Sequence, residues 1–134
     1  MSTSPSRGRI LIVDDEVVVA DSLKLIFSSQ HYDVRAAYSA EAAIEVLSEW
    51  RPDLAMLDVM LPKMNGIELA GIIQSNYPSC RVLLISGHPG TAELLNEAKS
   101  HGLAYDILAK PLHPTFILDT VSGLMPAKKN PFDA

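Results

Sequence analysis

The chain has 134 residues, of which 48% are hydrophobic and 20% charged, a length and composition typical of one soluble globular domain. Its net charge of -5 and scattered Lys and Arg argue against nonspecific nucleic-acid binding, which needs a basic patch. A single cysteine, Cys80, excludes an internal disulfide framework, and no apolar run reaches the roughly 20 residues that span a bilayer. We therefore expect a cytoplasmic protein whose domain binds neither nucleic acid nor membranes.

Strand-like and helix-like segments alternate from the first residues onward. Residues 1–8 are Ser-rich and are predicted to be a disordered lead-in. Residues 9–14 form an apolar run, predicted as a strand, and residues 32–37 alternate as expected of a strand at a sheet edge. Ser39 is a suitable N-cap for the second helix. The inward positions of the first two helices are predicted to be Val19, Leu23, Ile26, Phe27, then Ala40, Ala43, Ile44, Leu47 and Trp50.

Three more apolar runs, at residues 54–58, 81–86 and 105–109, are predicted as strands. Loops rich in Pro, Asn and Gly follow the first two of these runs, at residues 61–66 and 87–90. Apolar residues at helical spacing follow each of these strands. The inward positions of these last three helices are predicted to be Leu69, Ile72, Ile73, then Leu94, Leu95, Ala98, then Leu118, Val121 and Leu124.

This fivefold alternation predicts an α/β fold, a doubly wound five-stranded parallel sheet with helices on both faces. The first, third and fourth strands are the most continuously apolar and should be central. Pro114 suits the first position of the last helix, and residues 126–134 are predicted to be a frayed tail. One domain is therefore expected over residues 9–125.

Polar residues follow four of the predicted strands at the point where each ends. They are Asp14 with Asp15, Asp58, Ser86 and Lys110, after the first, third, fourth and fifth strands. The functional crevice of an open α/β sheet lies outside the carboxyl ends of its strands, so these side chains should meet at one rim. Carboxylates, a hydroxyl and an ammonium in one place are, in outline, a phosphoryl-transfer site.

The charge of this predicted site favours a bound cation. Three carboxylates offset by Lys110 leave about two negative charges, and like charges at close range disfavour joint ionisation. A hard divalent cation would neutralise them, and Mg²⁺ takes few protein carboxylates and keeps several waters, which fits an open rim. We therefore expect Mg²⁺, or Mn²⁺, as the cofactor.

Each of these residues also has a purely structural interpretation. Asp14 and Asp15 could cap the first helix, and Asp58 could be a turn residue. Ser86 could be an ordinary strand-end hydroxyl and Lys110 an ordinary solvated charge. Their coincidence at one rim favours the functional interpretation.

The order of these motifs resembles that of the receiver domain of two-component response regulators, over about residues 8–125. The motifs that carry the resemblance are Val13-Asp14-Asp15-Glu16, Asp58 with Pro62 and Gly66, Ser86-Gly87 and Lys110-Pro111. The frame Asp-x-x-x-Pro-x-x-x-Gly around Asp58 adds to their specificity. The resemblance implies a flavodoxin-like (βα)5 fold with strand order 2-1-3-4-5.

The resemblance also implies a role for each site residue. Asp58 would accept a phosphoryl group from a phosphohistidine, while Lys110 and Ser86 contact its oxygens and Gly87 leaves it space. The implied metal ligands are Asp15, Asp58 and the backbone carbonyl of Met60, with Asp14 acting largely through water.

Two positions are implied to tune the switch. Met60 lies two residues past the acceptor and His88 two residues past Ser86. Both would tune the lifetime of the phosphoryl group, although His88 could equally be an exposed loop residue.

In this family an aromatic residue three positions before the Lys works with the hydroxyl, whereas this chain has Ile107 there. Tyr105 lies on the same strand face, further from the rim. Output would then rest on backbone shifts after the fourth strand or on another surface.

The implied function is a signalling switch, not an enzyme, which catalyses only its own phosphorylation and dephosphorylation. Its implied donor is a sensor histidine kinase or a histidine phosphotransfer protein. An output partner of unknown identity would bind the fourth helix, fifth strand and fifth helix, and phosphorylation-dependent dimerisation is a further implication. The chain is expected to be either a stand-alone receiver or a piece of a longer protein.

Two alternatives remain. An interaction module of the same fold would not turn over phosphate, and failure to bind Mg²⁺ in the millimolar range would favour it. An aspartyl-phosphate hydrolase is disfavoured, because such enzymes place a second Asp two residues after the nucleophile, whereas this chain has Asp14, Asp15 and Glu16 in a row.

Overall fold

A parallel sheet organises the protein. The computed structural model describes residues 6–87, 96, 106–110 and 112–125. Within that part of the chain, five strands form one sheet in the order β2-β1-β3-β4-β5. Their bounds are β1 (Arg9–Val13), β2 (Asp33–Ala37), β3 (Leu54–Asp58), β4 (Arg81–Ser86) and β5 (Asp106–Ala109). The predicted strand order, the central places of β1, β3 and β4 and the edge place of β2 are confirmed.

The described residues include four helices, which we number in chain order. Their bounds are α1 (Val17–Ser29), α2 (Ala40–Glu49), α3 (Gly66–Asn76) and α4 (Pro114–Leu124). The helix predicted from Leu94, Leu95 and Ala98 lies outside the described residues. None of the helices that the structure describes is long and apolar enough to cross a membrane.

Local sequence signals explain where these helices begin. The Ser39 hydroxyl accepts a hydrogen bond from the Ala42 N–H at 3.0 Å, which confirms the predicted N-cap of α2. Asn65 caps α3 in the same way, since its side-chain oxygen accepts from the Glu68 N–H at 2.9 Å. Pro114 occupies the first turn of α4, as predicted, because a missing N–H costs nothing there.

The two faces of the sheet carry separate cores, because successive strand residues point to opposite sides. On one face, Leu11 and Val13 of β1 belong to a cluster that includes buried residues of α2 and α3. On the other, Ile10 and Ile12 belong to a cluster that includes buried residues of α1 and α4, among them the fully buried Phe27. Burying a large apolar side chain contributes roughly 1.5–3 kcal/mol, so both faces hold their helices in place. The doubly wound architecture is confirmed.

The helix faces differ slightly from the predicted ones. Ala20 and Ile117 are fully buried although neither was predicted to point inward. Leu118 and Leu124 are only partly buried against the core. The prediction that Val121 points inward is confirmed, whereas its buried neighbour one turn earlier is Ile117 instead of the predicted Leu118.

Candidate phosphoryl-acceptor site

Parallel pairing brings the predicted site residues to one edge of the sheet. Asp58 ends β3 and pairs with Ile85, while Ser86 ends β4 and pairs with Ala109. Asp14 directly follows β1, and Lys110 directly follows β5. The Lys110 N–H donates to the Ser86 carbonyl at 2.8 Å, so the turn after β5 is tied to the end of β4. The predicted rim is therefore present, with its members on four neighbouring strands.

Lys110 lies among the carboxylates of this rim. Its Nζ is 3.0 Å from Asp58 Oδ2 and 3.1 Å from Asp14 Oδ2. A third, longer contact of 3.5 Å joins Nζ to Glu16 Oε1. The side chains of Asp14 and Asp58 are only 4% and 5% exposed, whereas that of Glu16 is 64% exposed. The lysine thus pairs with two buried acids and one at the surface.

Backbone N–H groups orient the two buried carboxylates. Asp14 Oδ1 accepts from the Glu16 N–H at 2.9 Å, and Asp58 Oδ1 accepts from the Met60 N–H at 3.0 Å. In each case the acceptor lies two residues before the donor, which is the local turn that Asp residues favour. Each carboxylate therefore uses one oxygen for its own loop and the other for Lys110.

Burial, neighbouring charges and hydrogen bonds together raise the pKa values of both Asp14 and Lys110. Burial raises the pKa of Asp14 and the Asp58 charge raises it further, while hydrogen bonds from the Glu16 N–H and Lys110 lower it in part. Burial alone would lower the pKa of Lys110, but hydrogen bonds and charges of Asp58 and Asp14 outweigh it and raise that pKa overall. Lys110 is consequently a cation at neutral pH.

The carboxylates could also hold a metal ion. One oxygen each of Asp14, Glu16 and Asp58 lies within 4.8 Å of the others. Carboxylate oxygens are the ligands that Mg²⁺ and Mn²⁺ prefer, so this donor set fits the expected hard divalent cation. Asp15, the ligand implied by the resemblance, is exposed and is not a member of this group among the described residues. Its role stays a prediction.

Glu16 is the member of the cluster that was not predicted. The signal was present in the sequence, because an acid two residues after Asp14 lies at the entry to α1, beside the same rim. Residue type and spacing alone could not show that its side chain turns toward Lys110 instead of toward solvent.

Two glycines allow the chain to close around the site. A Cβ on Gly66 would overlap the backbone carbonyl of Asp58, so the loop between β3 and α3 can approach that closely only with glycine. A Cβ on Gly87 would lie 3.0 Å from Lys110 Cδ. Gly87 thus leaves room for the lysine stem, and the space it was expected to leave for a phosphoryl group stays a prediction.

The remaining predicted residues lie as follows. Met60 is 40% exposed beside Asp58, and Ser86 is half-buried at the end of β4. Ile107, in the position where an aromatic residue was expected from the resemblance, is 38% exposed on β5. His88 lies outside the described residues, and so do Tyr105 and Pro111.

Comparison with known proteins identifies the family. A model of the response regulator receiver domain matches residues 10–122. Sporulation initiation phosphotransferase F of Bacillus subtilis (strain 168) is 31% identical over 122 residues, which cover 91% of this chain and 97% of that protein. Nitrogen assimilation regulatory protein NtrX of Azorhizobium caulinodans is 37% identical over 106 residues, which cover 78% of this chain and 23% of NtrX. The chain belongs to the response regulator receiver domain family.

Solved structures agree with this assignment. A receiver domain protein (CheY-like) from Methanospirillum hungatei JF-1 has a TM-score of 0.78 at 27% identity, over 90% of this chain and 93% of that one. The signal receiver domain of an HD domain-containing protein from Pseudomonas fluorescens Pf-5 has a TM-score of 0.80 at 29% identity, over 92% and 90%. The predicted family and its flavodoxin-like fold are confirmed, and the chain is a receiver domain of a response regulator.

Proposed function

We propose that this chain is a phosphorylation switch in which Asp58 accepts a phosphoryl group from a phosphohistidine. The donor would be a sensor histidine kinase or a histidine phosphotransfer protein. One observation carries the proposal: in a chain of the receiver family, Lys110 Nζ lies 3.0 Å from a buried Asp58 carboxylate that lies within an acidic cluster.

The proposed reaction is a single displacement at phosphorus. An oxygen of Asp58 forms a new bond to phosphorus as the bond to the histidine nitrogen breaks, and the electron pair of that bond stays on the imidazole. The product is an acyl phosphate, 4-aspartylphosphate, a known form of covalent catalysis. Since little covalent chemistry falls to the protein, positioning and electrostatic stabilisation carry the reaction.

The residues around Asp58 support these two tasks. The Met60 N–H holds Asp58 Oδ1, so the attacking carboxylate has a fixed orientation. Lys110, paired with Asp58 Oδ2, would transfer its hydrogen bond to a phosphoryl oxygen, and Ser86 would donate to another. A bound Mg²⁺ or Mn²⁺ would supply positive charge to the carboxylates and phosphoryl oxygens. We propose Asp15, Asp58 and the Met60 carbonyl as its ligands, with Asp14 acting largely through water, as the resemblance implies.

Output would pass through the surface formed by the predicted fourth helix, β5 and α4. Phosphorylation would change this surface for a partner that remains to be identified, and dimerisation is one form such binding could take. Ile107, exposed on β5, stands at the aromatic switch position of the family, so we propose that Ser86 acts with the backbone of the following loop instead. We also propose a cytoplasmic location, in keeping with the lone reduced Cys80.

The direct test is labelling with acetyl phosphate followed by intact-mass measurement and peptide mapping. We expect one phosphoryl group on Asp58 in the wild type, only when Mg²⁺ or Mn²⁺ is present. Asp58→Asn should not be labelled, whereas Asp119→Asn, an exposed control in α4, should behave like the wild type. Full labelling of Asp58→Asn would refute the acceptor. A wild type that neither accepts phosphate nor binds Mg²⁺ in the millimolar range would favour the interaction module.

A further inference from the structure

Glu16 is the solvent-facing member of the acidic cluster. Its carboxylate lies within 4.8 Å of those of Asp14 and Asp58, and its Oε1 is 3.5 Å from Lys110 Nζ. At 64% side-chain exposure it differs sharply from the two buried acids. A group that approaches the buried carboxylates past Glu16 therefore meets its negative charge.

The backbone of Glu16 is held by hydrogen bonds, whereas its side chain, within the part of the chain that the structure describes, makes its polar contact with Lys110. The Glu16 N–H donates to Asp14 Oδ1, and its carbonyl accepts from the Ala20 N–H at 3.0 Å at the start of α1. Its carboxylate makes no capping hydrogen bond to α1. Lys110 already has shorter contacts with both buried acids, so Glu16 is not needed to hold the lysine. The Glu16 charge is thus available to act on what enters the site.

The negative charge of Glu16 attracts cations and repels anions. The three carboxylates and Lys110 sum to about two negative charges, one of them from Glu16. A divalent cation is drawn in by this field, whereas the oxyanion of a small phosphodonor is repelled. Because Glu16 is exposed, both effects should weaken as salt screens them.

We propose that Glu16 is an electrostatic specificity residue of the site. It strengthens the binding of the divalent cation and slows the loading of Asp58 by small anionic phosphodonors. The switch thereby resists phosphorylation by free acyl phosphates in the absence of its protein donor. This inference rests on the proposed role of Asp58 as phosphoacceptor.

The test compares Glu16→Gln with the control Glu49→Gln. Glu49 is the exposed last residue of α2, at the end of that helix that lies away from the site, so the control removes the same charge far from the cluster. Calorimetry measures Mn²⁺ and Mg²⁺ affinity without any phosphodonor, and acetyl phosphate labelling is followed at saturating Mg²⁺. A unit charge roughly 5 Å away in a water-like dielectric changes an equilibrium several-fold. We expect Glu16→Gln to weaken cation binding roughly five- to tenfold. At saturating Mg²⁺, acetyl phosphate should phosphorylate Asp58 of this variant roughly three- to fivefold faster than in the wild type.

Further variants and conditions separate this role from damage to the fold. Glu16→Asp keeps the charge and should restore most of both properties, and raising the ionic strength should reduce the Glu16→Gln effects. The inference is overturned if Glu16→Gln matches Glu49→Gln in both measurements, or if cation affinity and saturated loading rate fall together. A wild type that never loads would instead refute the proposed function, while the calorimetry would still report on the cation half of the Glu16 role.

Discussion

At the scale of single residues, Lys110 offsets part of the charge of two buried carboxylates that repel each other. Asp14 and Asp58 are almost wholly buried, and Lys110 Nζ is within 3.1 Å of an oxygen of each. An acid left buried without its partner keeps its desolvation cost, which is why removing one member of such a pair is destabilising.

Lys110→Met should therefore lower the free energy of unfolding by roughly 1–3 kcal/mol in the absence of divalent cations. Added Mg²⁺ should stabilise this variant more than the wild type, because a cation that binds only the folded protein shifts the equilibrium toward it. Urea unfolding with and without Mg²⁺ measures both effects. Lys24→Met, an exposed control on α1, should change neither. Equal stability of Lys110→Met and the control would show that the lysine does not offset the buried charge.

Cys80 gives a second prediction at this scale, because burial and, to a smaller extent, the charge of Asp53 together raise the pKa of its thiol from 9.0 to about 12. The unfolded chain thus loses this proton above about pH 9, while the folded protein keeps it. Ionisation of Cys80 in the unfolded chain therefore lowers the free energy of unfolding progressively as pH rises from about 9 to about 12. Below about pH 9 it has no effect on stability.

The measurement is alkylation of Cys80 by iodoacetamide near pH 8. The thiolate fraction alone predicts labelling of the folded protein roughly a thousandfold slower than in urea. Cys80→Ala should remove the corresponding part of the alkaline loss of stability. Rapid labelling of the folded protein would contradict both the burial and the raised pKa.

At the scale of elements, the loop from β3 to α3 positions the acceptor because its backbone folds tightly back on the strand end. The Gly66 N–H donates to the Val59 carbonyl at 2.9 Å, and any side chain on Gly66 would collide with the Asp58 carbonyl. Gly71 lies in the same helix with open space where its Cβ would be. The two glycines therefore form a matched pair.

Gly66→Ala should destabilise the protein by roughly 1–3 kcal/mol and slow the loading of Asp58, because the loop must move to make room. Gly71→Ala should stabilise it by roughly 0.5–1 kcal/mol, as alanine is the better helix former. Urea unfolding and acetyl phosphate labelling of both variants check this. If Gly66→Ala folds and loads like the wild type, the close approach does not position Asp58.

The ends of strands and the starts of helices could be predicted from the sequence, whereas the inward faces of helices could be predicted only in part. Strand ends were visible because apolar runs stop at polar residues, and Ser39 marked a helix start through its own capping chemistry. At the start of α4, Leu118 was predicted to point inward where Ile117 does, because Phe116, Ile117 and Leu118 are all apolar and hydropathy does not fix the phase of the helix. Packing decides it, leaving Phe116 57% exposed and Ile117 buried.

At the scale of the whole molecule, the strand order rather than any single motif creates the site. Asp14, Asp58 and Lys110 come from positions far apart in sequence, and only the order β2-β1-β3-β4-β5 brings their strand ends together. The sequence predicted this meeting from the rule for strand ends and from the family resemblance. It did not predict Glu16, because the direction of an exposed side chain depends on the entry to α1 and on the charge of Lys110.

The most direct test of the central claim is amide NMR of the ¹⁵N-labelled protein titrated with beryllium fluoride and Mg²⁺. We predict saturable shifts that need both components and that centre on the amides of Glu16, Met60, Ser86 and Lys110, with none in Asp58→Asn. Shifts that centre at the opposite edge of the sheet, near Arg81, or that persist in Asp58→Asn, would contradict an acceptor site at this rim.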